Sequence, residues 1–172
     1  MMKTQQKIFA RYASHIKPGR LEWIGLRPAH KAPMISVKQA EAIENRGLNG
    51  DHRMDKTPGS SRQVTLISTE YIQQIEHFSG VAEVLPSQLR RNLVVSGINL
   101  SALRYQRFKI GSALFEATAL CHPCPRMEKT VAQGALVAML GHGGICARIL
   151  NSGSIAVGDV VEVIDSPQHE LF

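Results

Sequence analysis

Ile145-Cys-Ala-Arg-Ile-Leu-Asn-Ser-Gly-Ser-Ile-Ala-Val-Gly-Asp-Val-Val-Glu-Val-Ile164 decides the fold class. Its short apolar runs, 145–150, 154–157 and 160–164, are separated by Asn151-Ser-Gly153 and Gly158-Asp159, both of which have turn chemistry. Runs of this length rich in β-branched residues read as strands, and tight turns between them predict a closing β-meander. The same pattern recurs upstream. Residues 20–26 read as a strand stopped near Pro28, 63–67 and 92–95 as compact strands, and 108–110 with 113–120 as a hairpin turning at Gly111. Residues 35–43 lean weakly to strand.

Helices are fewer. Ser68 can cap a helix whose Tyr71, Ile72, Ile75 and Phe78 recur at helical spacing, with Gly80 to end it. Residues 86–90 suit one helical turn, and 128–140 suit a longer helix weakened at Gly134 by roughly 1 kcal/mol relative to alanine. Strands outnumber helices about eight to two or three. The expected fold class is mainly β with a few helices (α+β), closed or partly open as a β-barrel, because closure removes unpaired strand edges.

The 172 residues suffice for one well-buried core, with a basic extension at 1–19, one domain at 20–165 and a tail at 166–172. No apolar run approaches the roughly 18 residues that cross a bilayer. The basic start lacks the apolar block of a signal peptide, so a cytoplasmic home with reduced cysteines is expected. Net charge is +6 with a pI near 9.5, which favours an anionic partner. Nucleic acid is disfavoured: the basic residues are scattered, no aromatic residues alternate with them, and no helix-turn-helix or finger spacing occurs.

Four polar clusters stand out, three of them flanking expected strands: Gly50-Asp51-His52-Arg53, Ser61-Arg62-Gln63, Arg90-Arg91-Asn92 and Leu120-Cys-His-Pro-Cys-Pro-Arg126. Arginine forks bind phosphates and carboxylates through two parallel hydrogen bonds, and several strand ends can converge on one ligand. In the last cluster two prolines hold Cys121, His122 and Cys124 outside regular structure, and Arg126 can favour a thiolate. By itself Cys121-x-x-Cys124 fits a zinc half-site, a redox dithiol, a soft-metal ligand or two unrelated thiols. Zinc would need four ligands, with His122 and His142 recruited; no second Cys-x-x-Cys supports that. His142, between glycines, can approach a ligand or face water, while Cys146 reads as a buried structural thiol.

Taken in order, these pieces resemble the MOSC domain found at the C-terminus of molybdenum-cofactor sulfurases and as stand-alone bacterial proteins. The residues are Ile24-Gly-Leu-Arg-Pro28, Gly47-Leu-Asn-Gly-Asp-His-Arg53, Arg62-Gln-Val-Thr-Leu66, Arg90-Arg-Asn-Leu-Val-Val-Ser-Gly97, Phe108-Lys-Ile-Gly111, Cys121-His-Pro-Cys-Pro-Arg126, Gly141-His-Gly-Gly-Ile145 and Ile155-Ala-Val-Gly-Asp159. The resemblance implies a MOSC-type barrel holding molybdenum cofactor (molybdopterin with its metal). It implies Cys124 as the catalytic and metal-ligating residue, and Arg62, Gln63, Arg90 and Asn92 as groups holding pterin and phosphate. Arg126 and His142 join the expected cofactor-binding set, and Cys121, His122, Asp51 and Arg53 are expected to support it. His30 and Lys31 match the family's basic loop loosely. The implied activity is reduction of N-hydroxylated compounds with electrons from a separate reductase; the alternative is a persulfide or cofactor carrier working with a partner desulfurase. The chain itself shows no room for a pyridoxal-phosphate domain and no flavin, nicotinamide or iron-sulfur motif.

Overall fold

The computed structural model describes residues 4–164; the expected tail at 166–172 lies outside them. The chain begins with helix α1 (Thr4–Tyr12) inside the expected basic extension, then a 3-10 turn and strand β1 (Gly19–Leu26). Strands β2 (Ile35–Val37), β3 (Gln39–Ile43) and β4 (Gly47–Leu48) precede a 3-10 turn at His52–Asp55. Strand β5 (Val64–Ser68) leads into helices α2 (Thr69–Ser79) and α3 (Pro86–Leu89), followed by β6 (Leu93–Ser96). The hairpin β7 (Arg107–Ile110) and β8 (Ala113–Leu120) forms as its turn predicts. The chain ends with helices α4 (Met127–Thr130) and α5 (Ala135–Ala138) and strands β9 (Ile145–Asn151), β10 (Gly153–Ala156) and β11 (Val160–Ile164).

Seven strands close a barrel in the order β11, β7, β8, β9, β5, β6, β1, and the seam is sealed where Gly19 and Arg20 of β1 meet Val161 and Val160 of β11. β2 hangs on β1 as an eighth strand, and β10, β3 and β4 form a small separate sheet. The one parallel pair in the barrel is β5 with β6, bridged by α2, because parallel neighbours need a crossover rather than a hairpin. Every residue of β5 is buried. Leu66 faces the barrel interior and Ile67 faces the helices, which explains adjacent apolar residues where a one-sided strand would alternate. Inside, Phe108 and Phe115 stack with centroids 5.4 Å apart. Outside, Ile72 and Ile75 of α2 cover Ile67 and Val94 together with Met127, Ala135 and Met139; each such side chain contributes about 1.5–3 kcal/mol by leaving water.

The caps of α2 are as the sequence predicts: Ser68 Oγ accepts from the Tyr71 amide at 3.1 Å, and Gly80 closes the helix at φ 73°. Two expectations change. The run 128–140 is two one-turn helices rather than one long one. Gly134 takes φ +87° between them, and the Glu128 carboxylate accepts from the Gly134 and Leu136 amides at 2.7 Å each, replacing helical bonds. The closing run is three strands but not a meander. β10 leaves its neighbours and pairs with β3, Ile155 opposite Ala40, while β11 pairs with β7 and β1. Gly153 permits this departure by lying against the Ser112–Ala113 backbone, where a Cβ would not fit. No helix among the described residues is long and apolar enough to cross a membrane.

Candidate functional site

A cleft of about 310 Å³ opens where the ends of β1 and β6 meet the 52–55 turn and the loop after Cys121. Six permanent cations, Arg27, Lys31, Arg53, Lys56, Arg90 and Arg126, line it with His30 and His52. Among the described residues only Arg27 of these cations forms an ion pair with a carboxylate, that of Asp51, and His52 Nδ1 lies 3.6 Å from the same group. A second hollow of about 250 Å³, under α1 between Ile8, Phe9 and Ala102, is apolar and carries no chemistry of this kind.

The cleft stands on a fully bonded polar frame. Asp51 accepts from the Arg27 amide (2.9 Å), Arg27 Nε (3.1 Å) and the Arg53 amide (2.9 Å), so one carboxylate orders both the end of β1 and the start of the 3-10 turn. Asn92 knits this to the barrel. Its Nδ2 donates to Asp51 Oδ2 (2.9 Å) and Gly25 O (3.0 Å), and its Oδ1 accepts from Arg27 Nη2 (3.1 Å) and the Thr65 amide (3.2 Å). Burial works against ionising Asp51, but the Arg27 guanidinium and the Arg27 and Arg53 amides outweigh it and hold its pKa below the usual carboxylate value. A fixed buried negative charge therefore anchors a wall that is otherwise cationic.

The wall itself is under electrostatic and backbone stress. Burial and then repulsion from Arg126 and Arg27 lower the proton affinity of Arg90. Burial and the Arg27 charge likewise lower the pKa of His52 and favour its neutral form. Arg90 and Lys31 both sit on left-handed backbone, at φ 57° and 62°, a conformation that costs a non-glycine residue roughly 1 kcal/mol. His52 Nδ1 and Arg53 Nε are buried without a hydrogen-bond partner, although buried polar atoms are normally satisfied.

Cys124 is exposed on the loop between β8 and α4, within electrostatic reach of Arg90. The sulfur chemistry is divided, because Cys121 and Cys146 are buried elsewhere. Arg62 donates to both, Nε to Cys146 Sγ at 3.2 Å and Nη2 to Cys121 Sγ at 3.5 Å. A hydrogen bond from Cys146, then Arg91 and Arg62, hold the Cys121 thiol down to about 5 against the cost of burial, while Cys146 is pushed up by the same hydrogen bond. Arg62 is nearer Cys146 than Cys121, so the negative charge is best described as one thiolate shared by the pair.

Of the residues singled out in the sequence, Arg53, Arg90 and Arg126 line the cleft and Cys124 lies beside it. Asp51 and Asn92 lie beneath, committed to the frame. Gln63 is committed too: its Nε2 donates to Ser60 O and its Oε1 accepts from the Ile149 amide, both at 2.8 Å. Arg62 and Cys121 belong to the thiol cluster. His122 is exposed. His142 packs edge-on to Tyr71 (5.4 Å) and Phe78 (5.7 Å) beside α2 and is not among the cleft's lining residues. Among the described residues no three His, Cys, Asp or Glu side chains gather as a metal site, so the zinc alternative gains no support. The sequence reading gave no role to Arg27, His52 and Lys56 in the wall, or to buried Arg91, which ties Gly143 O (2.8 Å) to Leu89 O (2.9 Å). Arg27, His52 and Arg91 did lie within quoted motifs.

A closed seven-stranded barrel with a small side sheet and a cationic cleft beside an exposed cysteine defines a distinct class of small β-barrel domain. The chain belongs to the MOSC family: the MOSC domain model matches residues 51–162, as the resemblance in sequence implies. The fold is shared with YuaD from Bacillus subtilis, at 20% identity and TM-score 0.75 over 86% of this chain and 96% of that one. It is also shared with YiiM from Escherichia coli, at 20% identity and TM-score 0.64 over 86% and 70%. YiiM from Geobacillus stearothermophilus aligns at 13% identity and TM-score 0.66 over 85% and 75%. No curated protein gives a significant match.

Proposed function

We propose that the basic cleft binds molybdenum cofactor and that Cys124 supplies a thiolate ligand to its metal. The observation that carries this reading is the wall itself: burial and then neighbouring cations lower the proton affinity of Arg53 and Arg90, and Arg53 Nε is buried without a partner, next to an exposed cysteine. Such a wall is stabilised when a multiply charged anion supplies the missing acceptors. Arg53, Arg90 and Arg126 suit the cofactor's phosphate and oxygenated pterin, and a cysteine thiolate suits a sulfur-rich molybdenum centre. Asp51 and Asn92 keep the frame fixed, while Gln63 is bonded to Ser60 and Ile149 and Arg62 to the two buried thiols. When bound, the group would supply two-electron oxygen-atom chemistry suited to reducing N-hydroxylated compounds. Electrons would come from a separate reductase.

Its exposure keeps a second reading in view, in which Cys124 carries a persulfide received from a partner desulfurase. One experiment separates the two. The wild-type chain and Cys124→Ser are produced in a host with an intact cofactor pathway, then assayed for molybdenum and for oxidised-pterin fluorescence. Molybdenum near one per wild-type chain, lost in the variant, supports the cofactor reading. Neither metal nor pterin in either protein, with cofactor supply confirmed, defeats it and turns attention to persulfide labelling of Cys124.

A further inference from the structure

Within electrostatic reach of Arg53, Cys121, Cys146 and Arg62 form a cluster that the cofactor reading does not use. Cys146 on β9 lies opposite Ala119 of β8, and Cys121 is two residues beyond Ala119, so both side chains point to one face of the strand pair as diagonal neighbours. The Cys121 amide donates to Gly144 O at 2.8 Å and its carbonyl accepts from Arg91 Nη2 at 3.4 Å. Both thiols are 3% exposed. Two buried thiols need no arginine if they serve only as small apolar groups. Here one guanidinium spends two donors on two sulfurs, and a neutral sulfur is a weak acceptor. The arrangement therefore stabilises negative charge on sulfur, in keeping with the lowered pKa of Cys121.

We propose that Cys121 and Cys146 are an oxidisable thiol pair, separate from Cys124, which a peroxide closes into an intramolecular disulfide. The Cys121 thiolate attacks hydrogen peroxide: an S–O bond forms, the O–O bond breaks, and the departing hydroxide takes a proton to become water. Cys146 sulfur then attacks the Cys121 sulfenic acid; an S–S bond forms, the S–O bond breaks, and hydroxide leaves with the Cys146 proton as the second water. The peroxide gains the two electrons that the sulfurs lose. Diagonal Cα atoms in a sheet lie about 7–8 Å apart, beyond the roughly 6.8 Å limit of an ordinary disulfide. Cys121 is the first residue past the end of β8, where the chain can draw inward, and a bond closed under strain is readily reduced again. Oxidation also removes the thiolate that Arg62 faces. Arg53, which feels the charges of both Arg62 and Cys146, then presents the cleft with a more positive wall.

The test does not depend on cofactor. Wild-type chain and Cys124→Ser are treated with hydrogen peroxide, denatured, alkylated and mapped by mass spectrometry. The expected result in both is a peptide pair joining Cys121 to Cys146, reversed by dithiothreitol, with Cys124 still alkylatable in the wild type. Arg62→Gln should form the bond at least tenfold more slowly, and Cys146→Ala should leave a Cys121 sulfenic acid that dimedone traps. Cys121 and Cys146 both alkylatable after treatment, or a Cys121–Cys124 bond in their place, overturns the proposal. Inorganic pyrophosphate should bind the oxidised wild-type chain severalfold more tightly than the reduced chain. An unchanged affinity alongside the mapped bond overturns the link to the cleft.

Discussion

Two sets of arginines meet at the cleft and obey opposite rules. Arg27 and Arg91 are 7% and 6% exposed, and each spreads its guanidinium over carbonyl or carboxylate oxygens, including those of distant segments. Arg53 and Arg90 are half-buried beside them, one with an orphaned Nε and the other on strained backbone, both facing like charges. The buried set is satisfied and holds the fold. The rim set is only partly satisfied, since Arg90 Nη1 donates to Ala32 O but Arg53 Nε has no partner, and an arriving anion would relieve it. The difference teaches that arginine count alone says little about binding; what the guanidinium already touches separates frame from site.

The largest effect should come from breaking the frame. Asp51→Ala leaves Arg27 buried without its counter-charge and strips Asn92 Nδ2 and the Arg53 amide of an acceptor. Removing one partner of a buried pair costs about 3–5 kcal/mol, so urea unfolding should show a loss of that order. The pH dependence has a definite sign. Asp51 has a depressed pKa in the folded state, so its contribution is present above the unfolded value near 3.9 and lost as pH falls through the folded one. Acid unfolding of the wild type should therefore steepen below about pH 4, and the variant should lack that component. A variant that unfolds like the wild type would show that the Asp51 frame does not hold the barrel.

The comparison also explains what was legible in the sequence. The strands, the hairpin turn at Gly111 and the caps of α2 were readable because each rests on local chemistry: apolar runs, a glycine turn, a serine three residues before an unpaired amide. The meander was misread because pairing is decided at long range. Nothing within 145–164 shows that Ile155 will lie against Ala40, more than a hundred residues earlier. The break at Gly134 depends on Glu128 reaching back to two amides, a side-chain choice that periodicity does not encode. At the site, Arg90, Arg126 and Arg53 were found as charges near strand ends. That the Asn92 and Gln63 amides are committed to the fold, and that Arg62 turns to two cysteines 59 and 84 residues away, follows only from the closed barrel. Cys146 looked like a core thiol because its burial is visible in an apolar strand and its arginine is not.

The rim should respond the other way to substitution. Arg90→Gly removes one cleft cation and its bond to Ala32 O (2.9 Å), but it also relieves a left-handed backbone and a like-charge neighbour. Stability should stay within about 1 kcal/mol of the wild type, since those terms offset. Pyrophosphate binding by calorimetry should nevertheless weaken tenfold or more, as expected for losing a charge-assisted contact of roughly 1.5–3 kcal/mol. The distinction between frame and rim would collapse if Arg90→Gly destabilised the fold as much as Asp51→Ala.

The smallest effect belongs to His52, which touches both sets: its ring lines the cleft while its Nδ1 lies 3.6 Å from Asp51 Oδ1. Its folded pKa is depressed, by burial first and Arg27 second, so the unfolded chain binds the proton more readily. Stability should then decline as pH falls through the unfolded value near 6.5 and level off below the folded one. His52→Gln has no charge to acquire, so the melting temperatures of the two proteins should diverge between pH 8 and 5, with the wild type losing more. Adding pyrophosphate supplies negative charge to the cleft, favours the protonated ring and should shrink that divergence. If pyrophosphate leaves the pH dependence of both proteins unchanged, His52 belongs with the buried frame, and the rim begins at Arg53.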